Sequence, residues 1–235
     1  MTERLVNYEE SRRHVAAEIV LFSAEGALEP ALQVLLIRRD LEPNVGKWVL
    51  PGGPVRPGEG LAGAAAHRLE EVAGVRGVFL HQVAAFGDPD PKNAAVSILH
   101  LGLVRRGQHR APAGRDASVV AWHDVDGRLP PLAHDHGRLI EEARASLSVR
   151  LRESPAVFEL LPEEFTLGDV QSLCESILGR DLDKRNFRRK LLELGFVVQT
   201  RKLRRDGAFR PARLFRFDAR RFASWAKRSR AFPFR

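Results

Sequence analysis

The chain has 235 residues, 44% hydrophobic and 29% charged, an ordinary globular composition that excludes a disordered or fibrous protein. Its net charge of +8 is unevenly spread: residues 1–150 carry 18 Lys and Arg against 19 Asp and Glu, whereas residues 151–235 carry 20 against 11. A basic last third suits a phosphate backbone, although a solvated basic tail would show the same balance. The single cysteine, Cys174, excludes an intramolecular disulfide and a cysteine-based zinc cluster, and it reads as a buried helix residue. Apolar runs such as Val34-Leu35-Leu36-Ile37 have the length of strands and are too short for a bilayer, and the first 14 residues lack an apolar signal segment. A cytoplasmic protein without membrane contact is expected.

In chain order, residues 14–23 and 31–38 read as buried strands around a loop containing Gly26 and Pro30. A Gly- and Pro-rich stretch, 40–60, precedes a helix over 61–74 that stops at Gly74. Strands are expected at 78–86, 95–104 and 118–122, a loop at 105–117, a break at 126–131 and a helix over 136–152. This order predicts an α/β sandwich without the regular alternation of a doubly wound sheet. After Pro155 the pattern changes. Thr166-x-x-Asp169 reads as a capping-box start for a helix ending at Gly179, and Asp183 caps a second helix that stops at Gly195. A strand at 196–200, a basic turn at 201–213 with Asp206-Gly207, and a strand at 214–218 complete the layout of a winged helix-turn-helix. Two domains are therefore expected, 1–152 and 153–235.

In the second of those helices Phe187, Leu191 and Leu194 recur at i, i+4 and i+7 and form one buried stripe. Arg185 and Arg189 lie on the far side, flanked by Asn186 and Arg188, with Lys184 and Lys190 nearer the buried edge. Like charges at i, i+4 repel on an isolated helix, and a polyanion would relieve them. The expected contacts to double-stranded DNA are Lys184, Arg185, Asn186, Arg188 and Arg189, with Arg204, Arg205, Arg210 and Arg213 from the hairpin.

Residues 53–75, GPVRPGEGLAGAAAHRLEEVAGV, resemble the Nudix box, G-x5-E-x7-R-E-U-x-E-E-x-G-U. Gly53, Glu59, Leu69, Glu71, Gly74 and Val75 stand where the pattern requires. In that family the box carboxylates hold magnesium on a pyrophosphate, because the ion prefers hard oxygen ligands. Here the R-E-U-x-E-E core is His67-Arg68-Leu69-Glu70-Glu71-Val72. Positions 68, 71 and 72 share a helical face, where three carboxylates have become Arg68, Glu71 and Val72. Arg68 and Glu71 can pair and replace the ion with a guanidinium. No metal, no catalytic residue and little or no hydrolysis are expected.

PGG (51–53), FGDPD (86–90), LAHDH (132–136), ELLPEEFTL (159–167), LDKRNFRRKLLELGF (182–196) and RPARLFRFD (210–218) resemble the Nudix-related transcriptional regulators of NAD metabolism. The resemblance implies a Nudix α/β/α sandwich with a mixed sheet and a C-terminal winged helix. It also implies a homodimeric repressor in which ADP-ribose or a related nucleotide, acting as effector rather than cofactor, releases the DNA. Ligand contacts are then expected at Arg38, Arg39, Gly52, Gly53, Arg68, Glu71, Phe86 and Asp88. From the residues alone Phe86 reads as core, Trp48 as lining or underlying the pocket, and His134-Asp135-His136 as a turn and helix cap. The alternative is an active Nudix hydrolase with a basic nucleic-acid-binding tail.

Overall fold

Alternation along two central strands builds both faces of a sheet. In β1 (His14–Glu25), Ala17, Ile19 and Leu21 join one core cluster while Val20, Phe22 and Ala24 join another. In β2 (Ala31–Arg39), Leu35 and Ile37 belong to the first and Leu32, Val34 and Leu36 to the second. A strand covered on both sides must be apolar almost throughout, which is why both segments read as continuous hydrophobic runs.

The structure is a computed structural model that describes residues 14–26, 30–40, 42, 44–87, 95–105, 117–205 and 211–227. Among these, β3 (Trp48–Val49), β4 (Gly52–Pro54), β5 (Leu80–Gly87), β6 (Ala95–Leu103) and β7 (Ala117–Asp124) complete a seven-stranded sheet. The main path runs β3-β2-β1-β6-β5, with β4 on β1 and β7 on β2. β1 and β6 are parallel and the other pairs antiparallel, so the sheet is mixed. α1 (Leu61–Ala73) covers one face with Ala64, Ala65, Leu69, Val72 and Ala73. α2 (His136–Leu151) covers the other with Leu139, Ile140, Ala143, Leu147 and Leu151. The expected α/β/α sandwich is present.

The C-terminal part comprises α3 (Val157–Leu160), α4 (Leu167–Leu178), α5 (Lys184–Glu193), the hairpin β8 (Val197–Arg204) and β9 (Ala212–Phe217), and α6 (Ala219–Ala226). The expected caps form. The Thr166 hydroxyl accepts from Asp169 N–H while the Asp169 carboxylate accepts from Thr166 N–H, and Asp183 accepts from Asn186 N–H at 2.7 Å. Gly179 ends α4 at φ +64°, a left-handed conformation that glycine adopts without a Cβ penalty. Phe187 and Leu191 are buried as the stripe requires, whereas Leu194 caps α5 and is half-buried. Phe158, Phe196, Phe217, Phe222 and Trp225 stack together, which places α6, absent from the sequence expectation, against the hairpin.

The ends of the hairpin arms differ from expectation. The hairpin arms reach Arg204 and Ala212, so much of the expected basic turn is strand. The cause is side-chain anchoring: Lys202 and Arg204 pair with Glu164 and Asp169, which fixes these cations along an extended arm. The winged-helix core is also continuous with the α2 face of the sheet, since Leu147, Leu151, Phe158, Leu173, Cys174 and Ile177 belong to one cluster. Burial pushes the Cys174 thiol up, away from the reactive thiolate. Among the described residues no helix is long and apolar enough to cross a membrane.

Candidate nucleotide cleft and nucleic-acid interface

A cleft of about 120 Å³ opens where β1, β2, β4, α1 and the start of α2 meet, lined by Glu18, Arg39, Gly52, Gly53, Val72 and His136 among others. Of the expected ligand residues it takes Arg39, Gly52 and Gly53. Neighbouring strand residues face opposite sides, so Arg38 stays exposed while Arg39 turns inward. Among the described residues the buried Nε of Arg39 has no hydrogen-bond partner, an unmet donor of the kind an anionic ligand satisfies. Gly52 is required by close approach: a Cβ there would lie 2.2 Å from Glu18 Oε2 and 2.7 Å from the Ala17 carbonyl. Gly53 adopts φ +155°, and a Cβ there would crowd the Arg68 side chain at 3.1 Å.

Glu18 and His136 were not among the expected ligand residues. Burial, reinforced by Asp135 and opposed by Arg39, pushes the Glu18 carboxyl up to about 8. Burial, with His134 adding to it, holds His136 down at about 4. His136 Nδ1 accepts from Leu50 N–H at 2.9 Å, so the neutral ring carries its proton on Nε2. An acid in the middle of the apolar run HVAAEIVLF was the available signal for Glu18. Asp135 occupies the N-cap of α2 as expected, though its side chain makes no capping bond. His134 Nε2 accepts from Asn44 Nδ2 at 2.8 Å, and both residues have positive φ.

The box helix shows why its carboxylates are engaged. Arg68 is buried; its Nε and Nη2 donate to the Pro54 carbonyl at 3.1 and 2.8 Å, and its Nη1 pairs with Glu71. Arg56 holds the second Glu71 oxygen at 3.3 Å. Burial works to raise the Glu71 pKa, but the Arg68 hydrogen bond and the Arg68 and Arg56 charges outweigh it and the pKa is lowered. Glu59 accepts from His67 at 3.0 Å and from Arg56 N–H at 2.9 Å, bonds that lower its pKa. Val72 is buried in the α1 core. A magnesium ion would need several free hard oxygens here, and it would meet a guanidinium, a valine and two carboxylates already engaged, Glu71 by two guanidiniums and Glu59 by His67 and a backbone N–H. The residues present do not fit the ion.

Phe86 is set apart from this cleft. It packs against the α2-side core with the Arg138 guanidinium 5.4 Å from its ring centroid, as the core reading expects. Trp48 likewise packs on the core and meets His123 edge-on at 4.6 Å. Asp88 lies outside the described residues.

On α5, Lys184, Arg185, Asn186 and Arg189 are exposed. Arg185 has no ion pair among the described residues, whereas Arg189 is held by Asn186 Oδ1 and Glu193 Oε1, each at 2.8 Å. Arg188 is half-buried and leans over Gly168 of α4. Arg205 and Arg213 are exposed on the hairpin, Arg213 donating to Gln199 at 3.1 Å. Arg204 departs from expectation. Its guanidinium grips both oxygens of the buried Asp169 at 2.8 Å, so it braces the hairpin against α4 instead of projecting from the tip. Arg210 lies outside the described residues.

Residues 12–143 match the NUDIX domain family, and residues 157–217 match the NrtR DNA-binding winged helix domain. The ADPR responsive transcriptional repressor NtrR of Acinetobacter baylyi is 32% identical over 208 residues, covering 86% of this chain and 81% of that protein. Shewanella oneidensis NrtR complexed with a 27mer DNA superposes with a TM-score of 0.71 at 26% identity, covering 93% of this chain and 97% of that one. The NUDIX domain of the same protein complexed with ADP ribose gives a TM-score of 0.52 at 26% identity, covering 63% and 99%. The ADP-ribose pyrophosphatase of Methanocaldococcus jannaschii is 30% identical over 122 residues, covering 51% of this chain and 70% of that enzyme.

Proposed function

We propose, for a chain that belongs to the Nudix-related transcriptional regulators with an NrtR-type winged helix, that it is a repressor whose operator binding is released by ADP-ribose. The observation that carries this reading is the exposed Lys184, Arg185, Asn186 and Arg189 face, displayed by a helix whose other side is anchored by Phe187 and Leu191. A recognition helix needs such a face, because phosphate and base contacts require cations free of packing. The unmet Arg39 donor and the glycine-lined cleft support an anionic nucleotide as effector. Arg39, Gly52, Gly53 and Glu18 touch it. The Arg68–Glu71 pair replaces the metal, so the nucleotide is bound and not cleaved. The units divide at about residues 152 and 153, the protein acts as a homodimer in the cytoplasm, and its targets are genes of NAD metabolism.

The rival reading, a hydrolase, draws on the likeness to the archaeal pyrophosphatase and on the retained Glu59 and Glu71. One experiment separates them. The purified protein is titrated onto duplex DNA from upstream of NAD-synthesis genes, with and without ADP-ribose, and assayed for ADP-ribose hydrolysis with magnesium or manganese. Weakened DNA binding without turnover is expected. Efficient metal-dependent turnover, or DNA binding indifferent to ADP-ribose, overturns the proposal.

A further inference from the structure

We propose that Arg144, Asp126 and Ser176 are positioning residues that fasten α4 of the winged unit to β2 and α2, two of the elements that frame the nucleotide cleft. The functional consequence of this grip rests on the repressor reading above.

The last turn of a helix leaves carbonyls unpaired and carries partial negative charge. At the end of α4 those groups include the Ser176 and Ile177 carbonyls, and Arg144 of α2 reaches across to both. Its Nη2 donates to Ser176 O and its Nε to Ile177 O at 3.3 Å, while Nη2 meets Asp126 Oδ1 at 2.7 Å. The Ser176 hydroxyl uses both of its roles: it accepts from the Leu32 N–H of β2 at 3.0 Å and donates to Asp126 Oδ2 at 2.8 Å. Asp126 is itself set by its turn, where its N–H donates to Asp124 Oδ1 at 2.9 Å. One guanidinium, one hydroxyl and one carboxylate thus join β2, α2 and α4.

Two of these elements also contribute to the cleft. Along β2, Leu32 lies about 24 Å from Arg39 at strand rise. α2 begins at His136, about 12 Å along its axis from Arg144. Both Arg39 and His136 line the cleft. On the other side, the grip continues toward the DNA-reading helix. Glu175 accepts from Leu182 N–H at 2.8 Å, and Gln171 donates to Leu182 O at 3.2 Å, so the turn before the α5 cap Asp183 is tied to α4. The α2–α4 contact is otherwise apolar and continuous. Apolar contact is non-directional and tolerates sliding, whereas these hydrogen bonds define one register.

The test uses the full chain with spin labels at Arg76→Cys and Leu192→Cys, both exposed positions, in the parent and with Ser176→Ala, Ser176→Thr and Arg144→Met. Double electron–electron resonance reads the distance between the units. Operator titrations with and without ADP-ribose read the coupling, and calorimetry reads ADP-ribose affinity alone. The parent and Ser176→Thr are expected to share one narrow distance distribution, which Ser176→Ala and Arg144→Met broaden or shift. In those two variants the ADP-ribose effect on operator affinity falls about threefold or more, within the range seen for coupling residues, while ADP-ribose affinity itself stays within about twofold. An unchanged distribution in Ser176→Ala overturns the proposal, and so does full coupling in that variant. Should Arg144→Met fail to fold, the Ser176 pair decides alone. If operator binding by the parent ignores ADP-ribose, the repressor reading falls while the distance measurement still judges the grip.

Discussion

Replacing Arg204 by alanine should destabilise the winged-helix part of the protein rather than remove a contact to DNA. The substitution deletes two charge-assisted hydrogen bonds of 2.8 Å to Asp169, a carboxylate whose side chain is only 4% exposed. Asp169 keeps its bond from Thr166 N–H but loses its counter-charge. Removing one partner of a buried pair costs about 3–5 kcal/mol. Arg204 is 23% exposed, so water reaches the vacated side and the figure falls to about 2–4 kcal/mol. For a chain of this size that corresponds to a drop in Tm of roughly 4–16 °C. Circular dichroism melting measures it, and gel-shift titration well below the new midpoint measures DNA binding in the folded state. Replacing both residues, Asp169→Asn with Arg204→Met, should recover part of the loss, since the amide oxygen still accepts from Thr166 N–H and no unpaired charge remains. A variant with unchanged Tm and a large loss of operator affinity would refute the bracing role and return Arg204 to the DNA interface.

Arg185→Ala should weaken operator binding by about 1–3 kcal/mol where the side chain reads a base, with Tm unchanged because the residue is exposed; a folded variant with full affinity would remove α5 from the interface. Arg205→Ala should reduce binding to operator and random DNA alike and flatten the salt dependence by about one unit of slope, measured by titration at several salt concentrations. Binding of ADP-ribose, followed by calorimetry, should persist in EDTA, and Arg68→Glu with Val72→Glu should introduce divalent-metal binding by restoring three carboxylates to one helix face; loss of binding in EDTA by the unmodified protein would contradict the Arg68 assignment. A carboxyl with a raised folded pKa stabilises below its ordinary value and loses that contribution as pH rises through the folded one, so Glu18 should lower stability from pH 4.5 toward about 8. His136, depressed from 6.5 to about 4, contributes stability present above 6.5 and lost on acidification through about 4, so it opposes Glu18 only in the acidic range. Glu18→Gln should therefore remove the decline in melting temperature between pH 6.5 and 8.

Much of the architecture was legible because it is written in short-range periodicity. The two-sided burial of β1 and β2, the Thr166/Asp169 box, the Gly74 and Gly179 stops and the Phe187/Leu191 stripe each depend on residues within one turn or strand of each other. The same holds for the altered metal site, since positions 68, 71 and 72 share a face by helical geometry alone. Where reading by pattern erred, the deciding partner was distant in sequence. The basic turn became strand because Lys202 meets Glu164 and Arg204 meets Asp169, each on another element. Phe86, which the family resemblance placed near the ligand and the residues alone placed in the core, packs on the α2-side core beside Arg138, a partner also distant in sequence.

The amino-acid sequence by itself determined two units of different character, a recognition helix with a basic outer face, and a Nudix box with a cation and a valine where carboxylates would stand. Only the tertiary structure decided that Glu18 and His136 share the cleft with Arg39, that Arg204 braces instead of projecting, and that Arg144 grips the end of α4. Local spacing dictates which side of a helix or strand a residue occupies. Which other side it then meets depends on how the layers stack, and the charges of Arg144, Asp126 and Ser176's neighbours acquire their roles only when β2, α2 and α4 close on one another.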